Sequence, residues 1–273
     1  MKQHFGICEW SFPVSGPLAM LLASEAGYEG MQLGEAGGRN MAYPLNHRRV
    51  QEIYRETAAH LNLELHSLNL GALLAEGTLA YVAGTKQGDC ARKSLEKGFE
   101  VCRSLDIHTV VITVEPRDDE IFENIVGHLD FASRLAKESN VEISIESAQP
   151  LPTIEKLLAA VDPDIKVCMD LLNPFRFGTG IPQEQIRAFG PDKISHFHMK
   201  DSVKELFRPG QRGCILLGTG DAGIPESVDI IKELGFEGWM ITENYYHLPP
   251  MNSGGDDFVD LAMKDLEIMK QYF

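Results

Sequence analysis

Short apolar stretches rich in β-branched residues alternate with longer amphipathic stretches along the whole chain. The short ones, residues 4–10, 30–34, 63–70, 109–115, 141–146, 165–170, 194–200 and 239–243, read as strands. Thr109-Val-Val-Ile-Thr-Val-Glu115 is the clearest, with the continuous β-branched run expected of a parallel strand buried on both faces. Between them, helical spacing of apolar residues predicts helices over 17–26, 50–61, 86–105, 120–138, 154–160, 183–189, 226–234 and 258–272. Strands alternating with helices imply a parallel sheet, and eight such units in 273 residues imply closure. The expected fold class is therefore α/β, a single (β/α)8 barrel occupying residues 1–273 as one domain. An open doubly wound sheet is the alternative, but no glycine-rich dinucleotide fingerprint follows the first strand.

A closed barrel gives positions along a strand a chemical meaning, because the C-terminal ends of its strands converge on one mouth. Glu146, Asp170, His198 and Glu243 stand at the ends of the fifth to eighth strands. The seventh reads Ser195-His-Phe-His-Met-Lys-Asp201, so alternation sends His196, His198 and Lys200 to one face and Phe197 and Met199 to the other. Three carboxylates crowded at one mouth repel one another and force proton uptake unless a cation joins them. One divalent metal, with a neutral imidazole completing its shell, relieves that repulsion. Three oxygens and one nitrogen suit Mn(II), Mg(II) or Co(II) better than a thiolate-rich zinc site. A structural alternative for each acid is an ion pair with a neighbouring lysine or arginine.

Composition narrows the partners. The formal net charge of −15 argues against nucleic acid, which needs a basic footprint. No apolar run reaches membrane-spanning length, and the N-terminus leads straight into a strand without a signal peptide. Five cysteines, odd in number and never in Cys-x-x-Cys spacing, read as reduced thiols, so a cytoplasmic location is expected. Homo-oligomer formation is left open.

The residues resemble the xylose isomerase-like barrels, also described as sugar phosphate isomerases/epimerases, over the whole chain. The likeness is carried by Ile145-Glu146, by Asp170-Leu-Leu-Asn173, and by His196-Phe-His-Met-Lys-Asp201. Leu217-Gly-Thr-Gly-Asp221 and Ile241-Thr-Glu-Asn244 complete it. That family includes ketose 3-epimerases, hydroxypyruvate isomerase, inosose dehydratase and a DNA-repair endonuclease branch. The resemblance implies metal ligation by Glu146, Asp170, His198 and Glu243, with Glu146 and Glu243 as the acid–base pair. It implies a metal-dependent isomerase or epimerase acting next to the carbonyl of a small ketose or polyol-derived substrate. An inosose dehydratase-like lyase and an endonuclease-like metal hydrolase are the alternatives. Family epimerases carry a histidine three residues after the metal-binding aspartate, where this chain has Asn173. Asn173, His196, Lys200, Arg208, His66 and Trp10 are the candidates for holding substrate oxygens. The stretch 204–213 reads either as an active-face lid that could supply a cation to the substrate or as disordered surface. Gly218-Thr-Gly220 could cradle a phosphate near a helix N-terminus, but the resemblance implies an architectural turn, so no phosphorylated substrate is expected.

Overall fold

In the computed structural model, residues 2–34, 36–39, 41–206 and 213–273 are described. Eight strands alternate with helices in chain order. They are β1 (Gln3–Cys8), β2 (Gly30–Leu33), β3 (Glu64–Asn69), β4 (Thr109–Thr113), β5 (Glu142–Glu146), β6 (Lys166–Asp170), β7 (Ile194–Met199) and β8 (Gly238–Thr242). They close into one barrel in sequence order, and every pairing whose register is resolved is parallel. The helices are α1 (Pro17–Glu25), α2 (Arg48–Leu61), α3 (Gly71–Ala75), α4 (Lys86–Leu105), α5 (Asp119–Ser139), α6 (Leu151–Ala160), α7 (Asn173–Phe177), α8 (Pro182–Phe189), α9 (Ile224–Glu233) and α10 (Phe258–Tyr272). The expected (β/α)8 architecture is present. The short α3 and α7 are additions, each too brief to leave a periodic apolar stripe in the sequence.

Backbone contacts group the chain into two compact units. The first comprises Met1–Gln32, Thr57–Glu64 and Cys168–Phe273. Within it, β1 pairs with β8 from Gln3 opposite Gly238 to Ile7 opposite Thr242. The buried Phe197 ring meets Phe236 edge-on at 5.0 Å. Trp239 stacks on His4 at 5.1 Å, and Gly30 makes room for it, since a Cβ there would lie 2.6 Å from the indole ring. α10 starts where the Asp257 carboxylate accepts the Val259 N–H at 2.8 Å, the cap its first turn needs.

The second unit comprises Leu33–Glu56 and Leu65–Val167. Here β4 and β5 run in register from Thr109 opposite Glu142 to Thr113 opposite Glu146. α4 and α5 are capped by Thr85, which accepts the Gly88 N–H at 3.1 Å, and Asp118, which accepts the Ile121 N–H at 2.8 Å. Asp106 and Asn140 end these helices with φ of 57° and 52°, the left-handed turn that short polar side chains tolerate. Among the described residues, no helix is long and apolar enough to cross a membrane.

Candidate active site

The alternation of β7 decides the site. His196 and His198 are fully buried, and Lys200, one residue past the strand, is almost so. β7 lies against β8 with His198 opposite Ile241, and the Glu243 N–H, just beyond β8, donates to the Met199 carbonyl at 3.0 Å. The Leu171 N–H donates to the His198 carbonyl at 3.1 Å, which ties the end of β6 to the same level. Asp170, His198 and Glu243 thereby present ligand atoms that all lie within 4.8 Å of one another, a candidate metal site.

Each carboxylate oxygen in this cluster has a distinct task. Asp170 Oδ1 accepts the backbone N–H groups of Leu172 at 2.8 Å and Asn173 at 2.6 Å, at the start of α7. Its Oδ2 lies 2.8 Å from Lys200 Nζ. Glu243 Oε1 accepts the indole N–H of Trp10 at 3.0 Å, while Oε2 meets Lys200 Nζ at 2.6 Å and His198 Nδ1 at 3.2 Å. Burial opposes ionisation of Glu243, but the Lys200 ammonium and His198 outweigh it and hold its carboxyl well below the usual carboxylate range.

His198 is oriented from behind. Its Nε2–H donates to Gln32 Oε1 at 2.6 Å, and the Cys8 sulfur, 4.0 Å from the same nitrogen, also reaches Gln32 Oε1 at 3.7 Å. Nδ1 is thereby turned towards Glu243, a place where a proton or a metal cation can sit. Burial disfavours charge on this imidazole, yet the Glu243 carboxylate beside Nδ1 draws its pKa above the ordinary value. Burial pushes the Cys8 thiol up to about 12, so it stays protonated. Carboxylate oxygens with an imidazole nitrogen whose other N–H is already spent on Gln32 fit a divalent cation by donor chemistry. Cys168, His196 and His198 form a second close group deeper in the same unit. Sequence reading missed Cys8, Gln32 and Cys168; Gln32, the one polar residue of β2, was the available signal.

The other expected residues are placed as follows. His196 Nδ1 shares a 2.9 Å hydrogen bond with Ser195 Oγ. In the second unit, Glu146 ends β5 almost fully buried, and the Thr113 hydroxyl donates to its Oε2 at 3.4 Å. In that unit also, His66 on β3 is half-buried and its Nδ1 shares a 2.9 Å hydrogen bond with Ser67 Oγ. Arg208 lies outside the described residues, as does most of the expected lid at 204–213.

The Gly218-Thr-Gly220 turn plays the architectural part that the resemblance implies. The amides of Gly218 and Gly220 donate to Asp201 Oδ2, both at 2.9 Å, while those of Ser202 at 2.8 Å and Ala222 at 3.2 Å donate to Oδ1. The turn already holds the chain's own carboxylate, with Gly218 at φ 75°. Behind it, Asp265 on α10 accepts the Leu217 N–H at 2.9 Å, Asn244 Nδ2 at 2.7 Å and the Tyr246 hydroxyl at 2.9 Å. These bonds anchor the residue that follows Glu243.

The chain belongs to the xylose isomerase-like TIM barrel family, whose model matches residues 20–271. A 2-epi-5-epi-valiolone 7-phosphate 2-epimerase from Actinoplanes sp. is 24% identical over 240 residues, covering 85% of this chain and 83% of the relative. Two solved structures share the fold. D-allulose 3-epimerase from Methylomonas sp. has a TM-score of 0.75 at 16% identity, covering 100% of this chain and 98% of that one. The IolI protein, solved with a bound zinc atom, has a TM-score of 0.76 at 17% identity, covering 100% of this chain and 99% of that one.

Proposed function

We propose that residues 1–273 act as a single catalytic domain, a divalent-metal-dependent isomerase or epimerase that moves a proton on the carbon beside a carbonyl of a small ketose or polyol-derived substrate. The observation that carries this reading is the buried set Asp170, His198 and Glu243, converging at strand ends and joined by Lys200. Glu146, at the end of β5, is the fourth ligand. Its support is the strand order, which sets β5 beside β6. The epimerase named among the relatives supports the reaction class.

When bound, the metal supplies Lewis-acid polarisation of the substrate carbonyl and the neighbouring hydroxyl. The protein does the rest. Glu243 takes the proton from the substrate carbon, and the Trp10 N–H holds its Oε1 so that the carboxylate cannot turn. Glu146 returns a proton from another side of the substrate. His66, Asn173, His196 and Arg208 are assigned to substrate oxygens, while the Trp10 N–H and Lys200 are engaged by the carboxylates. Donor chemistry favours Mn(II), Mg(II) or Co(II), and the zinc in the IolI structure makes zinc the necessary fourth comparison.

The test incubates ketoses and inososes with the protein loaded with each metal in deuterated water, followed by NMR. Deuterium entering the α-carbon without loss of water supports the proposal. Water loss from an inosose replaces it with the lyase reading, and no exchange with any metal overturns both. Glu146→Gln and Glu243→Gln should each lose about 100- to 10,000-fold in exchange. Metal content is measured in parallel, and a metal-loaded variant exchanging at the wild-type rate refutes the paired-glutamate mechanism.

A further inference from the structure

We propose that Lys200 is an internal counter-ion that competes with the divalent cation for Asp170 and Glu243, and so sets how loosely the site holds metal. The inference rests on the metal reading above and adds to it the determinant of affinity. It follows from how the oxygens are distributed. Asp170 Oδ1 is committed to two backbone amides and Glu243 Oε1 to the Trp10 indole. The remaining oxygen of each, Asp170 Oδ2 and Glu243 Oε2, lies 2.8 and 2.6 Å from the same Lys200 nitrogen. Glu243 Oε2 is also the oxygen facing His198 Nδ1 at 3.2 Å. A cation ligated by that imidazole and that carboxylate therefore lies beside the ammonium and shares its partners.

Charge decides the direction of the effect. The three proposed carboxylate ligands carry three negative charges, of which Lys200 cancels one and a divalent ion the other two. Without Lys200 the carboxylates repel each other more and attract a cation more strongly. Lys200 is only 3% exposed, so water screens little of this interaction. Its side chain enters from the end of β7, on the same strand face as His198, and it cannot be withdrawn without leaving buried carboxylates unmatched. Lysine, a compact charge on a flexible stem, can yield its oxygens to a metal more readily than a forked guanidinium could.

The test uses the full chain, stripped with chelator, as wild type, Lys200→Met and Lys200→Arg, titrated calorimetrically with Mn(II). One neighbouring charge typically moves an ionic equilibrium by about one to three powers of ten. The Met variant should therefore bind Mn(II) at least about tenfold more tightly than wild type. In chelator it should melt lower, and it should gain more in Tm on metal addition. Lys200→Arg, which keeps the charge but yields its oxygens less readily, should bind no more tightly than wild type. Equal or weaker binding by Lys200→Met overturns the proposal, as does a matching gain in Lys200→Arg. If the Met variant folds only with metal present, it is purified with Mn(II) and challenged with chelator; slower release than wild type supports the proposal, and equal or faster release overturns it. Binding by the Met variant alone also supports it. If neither protein binds Mn(II), Mg(II), Co(II) or Zn(II), the metal reading itself fails, a result distinct from equal affinity.

Discussion

Asp265 offers a stability measurement whose size follows from its surroundings. Burial raises this carboxyl from an ordinary value of 3.8 to about 6, against the pull of the Leu217 amide, Asn244 and the Tyr246 hydroxyl. Its pKa is thus higher in the folded protein than in the unfolded chain. The stability it contributes is full below about 3.8 and is lost as pH rises through about 6. A shift of about two units corresponds to about 3 kcal/mol in all, of which about 2 kcal/mol falls between about pH 4.5 and about pH 7.5. Replacement Asp265→Asn removes the titration and adds a pH-independent penalty for the disturbed bonds to Asn244 and Tyr246. Urea unfolding of both proteins across this range reads the difference. The penalty of the variant should shrink by about 2 kcal/mol on going from acid to neutral pH. A gap that stays constant within about 0.5 kcal/mol refutes the assignment of the raised pKa to Asp265.

Further outcomes are expected at the site and behind it. His198→Ala should weaken metal binding far more than His196→Ala in a metal titration, and equal effects would show that the ligand histidine was misassigned. Gln32→Leu, which removes the acceptor for His198 Nε2–H, should cost about 10- to 100-fold in metal affinity with the fold intact by circular dichroism. Asp201→Ala leaves four amides without their carboxylate, two of them on the fully buried Ser202 and Ala222. It should cost about 3 kcal/mol or more in urea unfolding.

Much of this architecture is legible because it is periodic. The β-branched run of β4 and the His-x-His alternation of β7 follow directly from a two-residue repeat, and the expected helices over 86–105 and 258–272 match α4 and α10 residue for residue. Strand ends are legible for the same reason, which is how Asp170 and His198 were found. What alternation cannot convey is which side chain lies across the barrel. The Gln32 contact with His198 joins strands 166 residues apart in sequence, and although Gln32 stands out as the one polar residue of Gly-Met-Gln-Leu, nothing local names its partner. The sequence offers Lys200 as a substrate ligand, and only the spatial arrangement shows it spanning two carboxylates. The glycine turn is architectural for a physical reason: its nest of amides binds an anion, and here the anion is a side chain of the same chain.

The bond between Trp10 and Glu243 spans 233 residues, and β1 meets β8 along five paired positions. The carboxylate proposed to move the proton is therefore oriented by a side chain synthesised 233 residues before it. That indole must wait for the whole of the intervening barrel before its partner exists. Such pairing carries a large loop-closure cost and belongs to the slow end of folding. During synthesis, the edge of β1 is left without its final neighbour until the last strand emerges. The proposed pair of glutamates is thus complete only once β8 has been made, and a chain halted before β8 holds Asp170 and His198 but lacks Glu243.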